Sequence, residues 1–242
     1  MQALIIKPTL LFFVLLILSS CSGSDSNEEP ITPPTEFHKA NVFMQNYYTE
    51  NTLLNWGIEE IELIDNQNYA YGNKVEFEWE TTKYSVLFDV TDSNNSHLIS
   101  SSHTLSNGKL YYASMIGSSA HKTMVFSELD ETIPETGNVR VKYFNANQNI
   151  GAIDIYIGGE TSDKKVVSNL NFGQLSSYIE VNHNDISSLV VVTPVGIAPH
   201  LDTNLLRLSD NTSHGNNSIL IIALATLTNE NSSELSYFVT EQ

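Results

Sequence analysis

The chain has 242 residues, 41% of them hydrophobic, enough for one large or two ordinary domains with packed cores. Eleven Lys and Arg face 28 Asp and Glu, a formal charge of −17 that repels nucleic acid and anionic lipid surfaces. The one cysteine excludes disulfides within the chain and cysteine-built metal sites.

In chain order, Lys7 comes first, followed by the apolar run Thr9–Leu18. A resident membrane helix needs about 20 such residues, so this run is too short to span and fits a signal-peptide core instead. Leu18-Ser19-Ser20-Cys21 follows. It resembles a lipobox: a branched apolar residue, two small residues where the peptidase closes, then a thiol to accept diacylglycerol. The competing readings are an ordinary signal peptide that happens to contain a cysteine, or a buried N-terminal helix. The lipobox reading predicts a signal peptide over 1–20, cleavage between Ser20 and Cys21, and Cys21 as the lipid anchor. It implies a membrane partner through that lipid. Ser22 resembles the sorting residue that favours the outer membrane of a Gram-negative cell. Stable anchoring needs two or more acyl chains, and an acidic body adds no affinity for the surface.

Ser22–Glu36 (SGSDSNEEPITPPTE) is rich in Ser, Pro and acid, and reads with Cys21 as a disordered tether over 21–36. From His38 onward, short runs of Val, Ile, Tyr and Phe alternate with Asn, Gly, Ser and Asp, the pattern of strands and turns. Val75-Glu76-Phe77-Glu78-Trp79-Glu80 alternates strictly, which puts Val75, Phe77 and Trp79 on one face and three glutamates on the other. Asn107-Gly108, between Ser100–Ser106 and Lys109–Ile116, predicts a hairpin. No stretch carries a convincing capped helix. Ser188–Val195 and Ser218–Leu227 are β-branched apolar runs and read as buried strands.

Four blocks recur in the same order about a hundred residues apart. Asn41–Asn46 resembles Asn138–Tyr143, Ile61–Ile64 resembles Ile153–Tyr156, Tyr71–Asn73 resembles Phe172–Gln174, and Ser85–Thr91 resembles Ser188–Thr193. With Ile133–Gly137 as junction, this predicts an all-β chain with two β-sandwich domains, 37–133 and 137–242.

The second half carries Val139-Arg140-Val141 to Asn145, then Ile153-Asp154-Ile155-Tyr156-Ile157-Gly158, then Phe172-Gly173, then Val190-Val191-Val192-Thr193-Pro194-Val195-Gly196. This order resembles the family called domain of unknown function 4397. That family's late hairpin is missing from this half, where Asn211–Asn217 stands, but Leu105-Ser106-Asn107-Gly108-Lys109-Leu110-Tyr111 in the first half resembles it. The resemblance implies tandem immunoglobulin-like sandwiches in a secreted or lipid-anchored bacterial protein. It implies no activity, cofactor or catalytic residue.

Motifs that carry chemistry are sparse. No His pair has H-x-x-x-H spacing; His97 and His103 share parity on one strand, which predicts one face and about 20 Å between them. No G-x-S-x-G elbow and no phosphate loop occur. Glu76, Glu78 and Glu80 form a row that, joined by Glu59, Glu60, Glu62 and Asp65, could hold Ca²⁺; a solvated sheet face is the alternative. Trp79 shares parity with core residues. Trp56, in Asn55-Trp56-Gly57, reads as a loop residue and a candidate ligand contact, with Tyr47, Tyr48, Tyr69 and Tyr71 near it in sequence. The expectation is a lipid-anchored envelope protein without catalysis, cofactor or nucleic-acid partner. It would bind an envelope protein or glycan. A structural spacer and a loop-built hydrolase or metal enzyme are the alternatives. Binding predicts a concentrated exposed apolar or aromatic patch; a spacer predicts polar faces; an enzyme predicts converging His and carboxylates.

Overall fold

The structure, a computed structural model, describes residues 35–50, 53–59, 61–67, 72–210, 215–226 and 235–242. The signal and lipobox with Ser20, Cys21 and Ser22, most of the tether, and also Glu60, Tyr69, Tyr71 and Leu227, lie outside the described residues. So do the side chains of Glu62 and Asp65.

Thr35–Gln242 forms one compact unit whose described residues are all-β save for two short helical turns. Eight strands come from the first half: β1 (Phe37–Tyr48), β2 (Leu54–Ile58), β3 (Ile61–Gln67), β4 (Gly72–Glu80), β5 (Val86–Asp92), β6 (His97–His103), β7 (Lys109–Gly117) and β8 (Lys122–Leu129). Eight come from the second: β9 (Asn138–Asn145), β10 (Ile153–Ile157), β11 (Lys165–Leu170), β12 (Ile179–Asn182), β13 (Leu189–Pro194), β14 (Leu206–Ser209), β15 (Ile219–Ala225) and β16 (Ser236–Glu241). The sheet orders are β4-β1-β7-β8 and β3-β2-β5-β6, then β12-β9-β15-β16 and β11-β10-β13-β14. The second eight strands therefore repeat the topology of the first eight. Even the parallel pairs correspond: β1 with β7, and β9 with β15.

Side-chain parity explains how the sheets stack. Val42 and Met44 of β1, Trp56 of β2, Phe88 of β5 and Tyr111 of β7 share one core between the first two sheets. Val141, Ile155, Val190, Val192 and Ile222 share the equivalent core between the last two. The opposite faces of β1, β7, β9 and β15 meet in a third apolar cluster, where Phe43, Tyr47, Tyr112 and Ile116 pack with Phe144, Ile221 and Ala223. The unit is thus four sheets deep. This is why β15 is buried along its whole length: a strand covered on both faces needs a continuous apolar run rather than an alternating one.

Three expectations change. Asn107-Gly108 does not close a hairpin. β6 pairs with β5 and β7 pairs with β1 and β8, so this turn carries the chain from one sheet to the other. Gly108 supplies the positive φ of 73° that the corner needs, and the corner is held to β1 by Gly108 N–H to Lys39 O (2.7 Å) and Lys39 N–H to Asn107 Oδ1 (2.9 Å). A six-residue helix, α1 (His183–Ser188), interrupts the strands. It is too short to show periodicity, and its sequence signal is the cap, Asn182, whose side chain accepts Asn184 N–H (2.9 Å). In the repeat, Ile153–Tyr156 belongs to β10, whose topological counterpart is β2 rather than Ile61–Ile64 of β3. Asn46 corresponds to Asn145, since each accepts the N–H two residues ahead (2.9 and 3.2 Å) at the end of its first strand.

Candidate functional site

Trp56 is not a loop residue. It lies in β2 and is 0% exposed within the first core, so it offers no surface to a ligand. The flanking Asn55 and Gly57, which read as turn residues, serve the strand instead. Asn55 Nδ2 donates to Asp92 O and Asn95 Oδ1 (both 3.3 Å), fixing the turn after β5. The pairing of β2 with β3 shifts register around Trp56 and Gly57, the irregularity a glycine in a strand commonly marks.

Glu76, Glu78 and Glu80 do form an exposed row on β4, with Phe77 and Trp79 buried behind them. Lys39, directly opposite Glu78 on β1, takes the position a cation would occupy: its Nζ is 2.6 Å from Glu78 and 3.7 Å from Glu76. Glu59, offered as a partner for that row, is engaged elsewhere. Its carboxylate pairs with Lys83 and accepts Leu87 N–H (2.8 Å), and these bonds hold its pKa below the ordinary value, the Lys83 bond most. Among the described residues no three His, Cys, Asp or Glu side chains are grouped to hold a metal ion.

His97 and His103 do not share a face. A bulge at Leu98, where Thr91 pairs with His97 and Val90 with Ile99, reverses the parity between them. His103 turns inward and stacks on Phe126 of β8 with ring centroids 3.9 Å apart; burial lowers its pKa. His97 stays outside, its Nε2 2.6 Å from Ser100 Oγ, and Ser100 in turn donates to Asp89. This brings Asp, Ser and His together in the wrong order for an activated nucleophile. The hydroxyl gives its only proton to the carboxylate, so the imidazole is its donor and not its base. The three lie on an exposed sheet face rather than in a cleft.

Asp154 of the Ile153–Gly158 motif is a buried carboxylate, 1% exposed. Lys165 Nζ (2.6 Å), Asn169 N–H (2.9 Å) and Gly196 N–H (3.1 Å) all donate to it. Burial opposes its ionisation, but these three donors outweigh it and leave the pKa below the ordinary carboxylate value. The residue ties β10, β11 and the turn after β13 together, which is a structural role.

What sequence reasoning missed is a cluster of loops. Of the exposed large apolar side chains, Val195, Ile197 and Leu201 all stand on the segment between β13 and β14, Leu201 at 76% exposure. The segment is held by its own polar groups: Thr193 Oγ1 donates to Ile197 O (3.0 Å), His200 N–H to Asn204 Oδ1 (3.0 Å), and Thr203 Oγ1 to His200 O (3.2 Å). Val195 N–H bonds Ala152 O (3.0 Å), which places the segment beside the loop joining β9 to β10. At that same end lies a cleft of about 410 Å³, lined by Ser118 and His121 of the first half and Gln148, Asn149 and Phe172 of the second. Gly117, before Ser118, leaves room for the turn that carries His121: a Cβ there would lie 2.0 Å from His121 O. The only sequence signal was the run of apolar residues flanking Pro199, in a stretch too rich in Gly, Pro and Asp to be a strand.

No family model and no curated protein matches the chain. It is similar over 82% of its length to two solved structures. One is the product complex of a multi-modular glycogen-degrading pneumococcal virulence factor, SpuA, at 11% identity and TM-score 0.25, with 21% of that chain covered. The other describes alpha-glucan binding by a streptococcal virulence factor, at 10% identity and TM-score 0.24, with 96% of that chain covered. This chain spans about a fifth of the length of the first. TM-scores this low define no common arrangement of strands.

Proposed function

We propose that this is a non-catalytic, lipid-anchored module of the cell envelope that binds another envelope component through the loops at one end of the body. One observation carries the reading: Val195, Ile197 and Leu201 are exposed together on a segment fixed by its own hydrogen bonds. Exposed apolar groups that gather in one place mark interaction surfaces, whereas scattered ones do not. The position of the loops supports it. The chain enters at Thr35, beside Thr81, whose N–H bonds Glu36 O (3.0 Å). β1 then runs twelve residues, roughly 36 Å at about 3.3 Å per step, to the opposite end. Thr35, the first described residue, therefore lies at the end of the body away from the exposed segment. Outer-membrane placement rests on Ser22, and the likeness to domain of unknown function 4397 rests on the sequence motifs alone; the eight-strand repeat supports a duplicated arrangement of the two halves.

Two experiments test this. Replacing Cys21 by Ser should move the protein from the membrane to the soluble fraction; retention of the variant would rule out the lipid anchor. A photo-crosslinking residue at position 201 should trap a discrete product in intact cells. The same probe at Tyr84, which is even more exposed but lies in the turn after Thr81, should not. Identical patterns from both positions would exclude the loop as the binding surface.

A further inference from the structure

We infer that the cleft between Ser118, His121, Gln148, Asn149 and Phe172 is a binding site for an uncharged carbohydrate. The inference goes beyond the binding-module reading, since the exposed segment could engage a partner while the cleft served no ligand.

The chemistry of the lining selects the ligand class. In a chain carrying 28 acidic side chains, none of the five lining residues is a carboxylate, an ammonium or a guanidinium. Among these five residues a charged ligand finds no counter-charge, and the carboxylate beside them, Glu50, accepts Ser119 N–H. Gln148 and Asn149 carry primary amides, each with donors and an acceptor side by side, and Ser118 and His121 add a hydroxyl and an imidazole. Groups of this kind match a molecule with several adjacent hydroxyls, each both donor and acceptor. Phe172 supplies the apolar wall. It is half-buried and packs against the third apolar cluster, so its ring is held in place before any ligand arrives. A sugar ring presents one C–H face and an edge of hydroxyls, which is the combination this wall and these amides fit. The volume, about 410 Å³, lies within the range of small-ligand sites and accommodates one or two sugar rings.

The site also depends on the pairing of the halves. Ser118 and His121 come from the turn between β7 and β8, Gln148 and Asn149 from the loop between β9 and β10, and Phe172 from the loop after β11. A Cβ placed on Gly173, next to Phe172, would lie 3.5 Å from Ile116 Cδ1, so this loop lies directly against the first half. Neither half has the cleft alone.

The test uses the full-length protein in detergent, titrated by calorimetry with neutral gluco-, galacto- and manno-configured di- and trisaccharides. A glucuronic-acid disaccharide serves as the charged control. At least one neutral sugar should bind. Gln148→Ala and Phe172→Ala should each weaken it about tenfold or more, with Gln148→Ala leaving the thermal midpoint unchanged. Tight binding of the glucuronic-acid disaccharide at the cost of the neutral ones would overturn the class of ligand. Absence of binding for every neutral sugar, or binding that Gln148→Ala and His121→Ala leave intact, would overturn the site. Cross-linking at Leu201 is independent of either result.

Discussion

Gln45 on β1 donates its Nε2–H to Thr240 Oγ1 on β16, 195 positions along the chain. Its Oε1 accepts two further bonds, from Tyr47 OH (2.8 Å) and Tyr112 OH (2.7 Å). This is a polar knot inside the apolar cluster that joins the halves. Apolar contact alone tolerates sliding of one sheet over the other. A buried amide that must meet a particular threonine does not, because a shift would leave polar groups dry and unpaired.

Replacing Gln45 by Ala should therefore destabilise the protein by about 1–3 kcal/mol beyond the loss of packing, because the buried Tyr112 hydroxyl loses its acceptor. Urea unfolding measures this. A loss under about 0.5 kcal/mol would mean the knot is not formed in solution.

Trp56 fills the centre of the first core. Trp56→Ala should cost about 3–5 kcal/mol and Trp56→Phe clearly less, while the cross-linking pattern of the folded Phe variant stays as in the parent. Its indole Nε1 is buried without a hydrogen-bond partner, so the phenyl ring removes an unpaired donor along with volume. A ligand-binding defect in a stable Trp56→Phe protein would contradict the core assignment.

His103 makes stability depend on pH. Burial alone lowers its pKa, and the groups packed on it are the rings of Phe88 and Phe126. The unfolded imidazole keeps its ordinary value near 6.5. As pH falls through that value the unfolded state takes up a proton that the folded state resists, so the native state loses stability. His103→Phe keeps the stack and removes the proton. Melting curves from pH 7.5 to 5 should fall less steeply for the variant, and parallel curves would remove His103 from this role.

Asp154 acts at lower pH with the same sign. Its folded pKa lies below the ordinary carboxylate value, so its contribution is complete above about 4 and fades as pH falls through the folded value. Asp154→Asn should lower the melting temperature at pH 7, because Lys165 loses its counter-charge. The gap to the parent should narrow below pH 4, and a constant gap would show that the charge is immaterial.

The sequence by itself determined the periodicities. Strict alternation placed Phe77 and Trp79 inside and three glutamates outside. The continuous apolar runs became β13 and β15, buried through their middles, with Ser188 left in α1 and Val195 exposed beyond the end of β13. A period of two is a local property, and burial on one face or both is all it needs. Tertiary structure decided what depends on which sheet a strand joins. Asn107-Gly108 is a hairpin signal wherever its flanks can pair, and here parallel pairing with β1 draws β7 into the other sheet. One extra residue at Leu98 was enough to part His97 from His103, because parity is lost at any bulge. Trp56 looked exposed because Asn and Gly flank it, yet both are absorbed by strand pairing. The cleft was beyond sequence reading for a simpler reason: its lining comes from three loops separated by up to 54 positions, from Ser118 to Phe172, and only the packing of one sheet pair on the other brings them together.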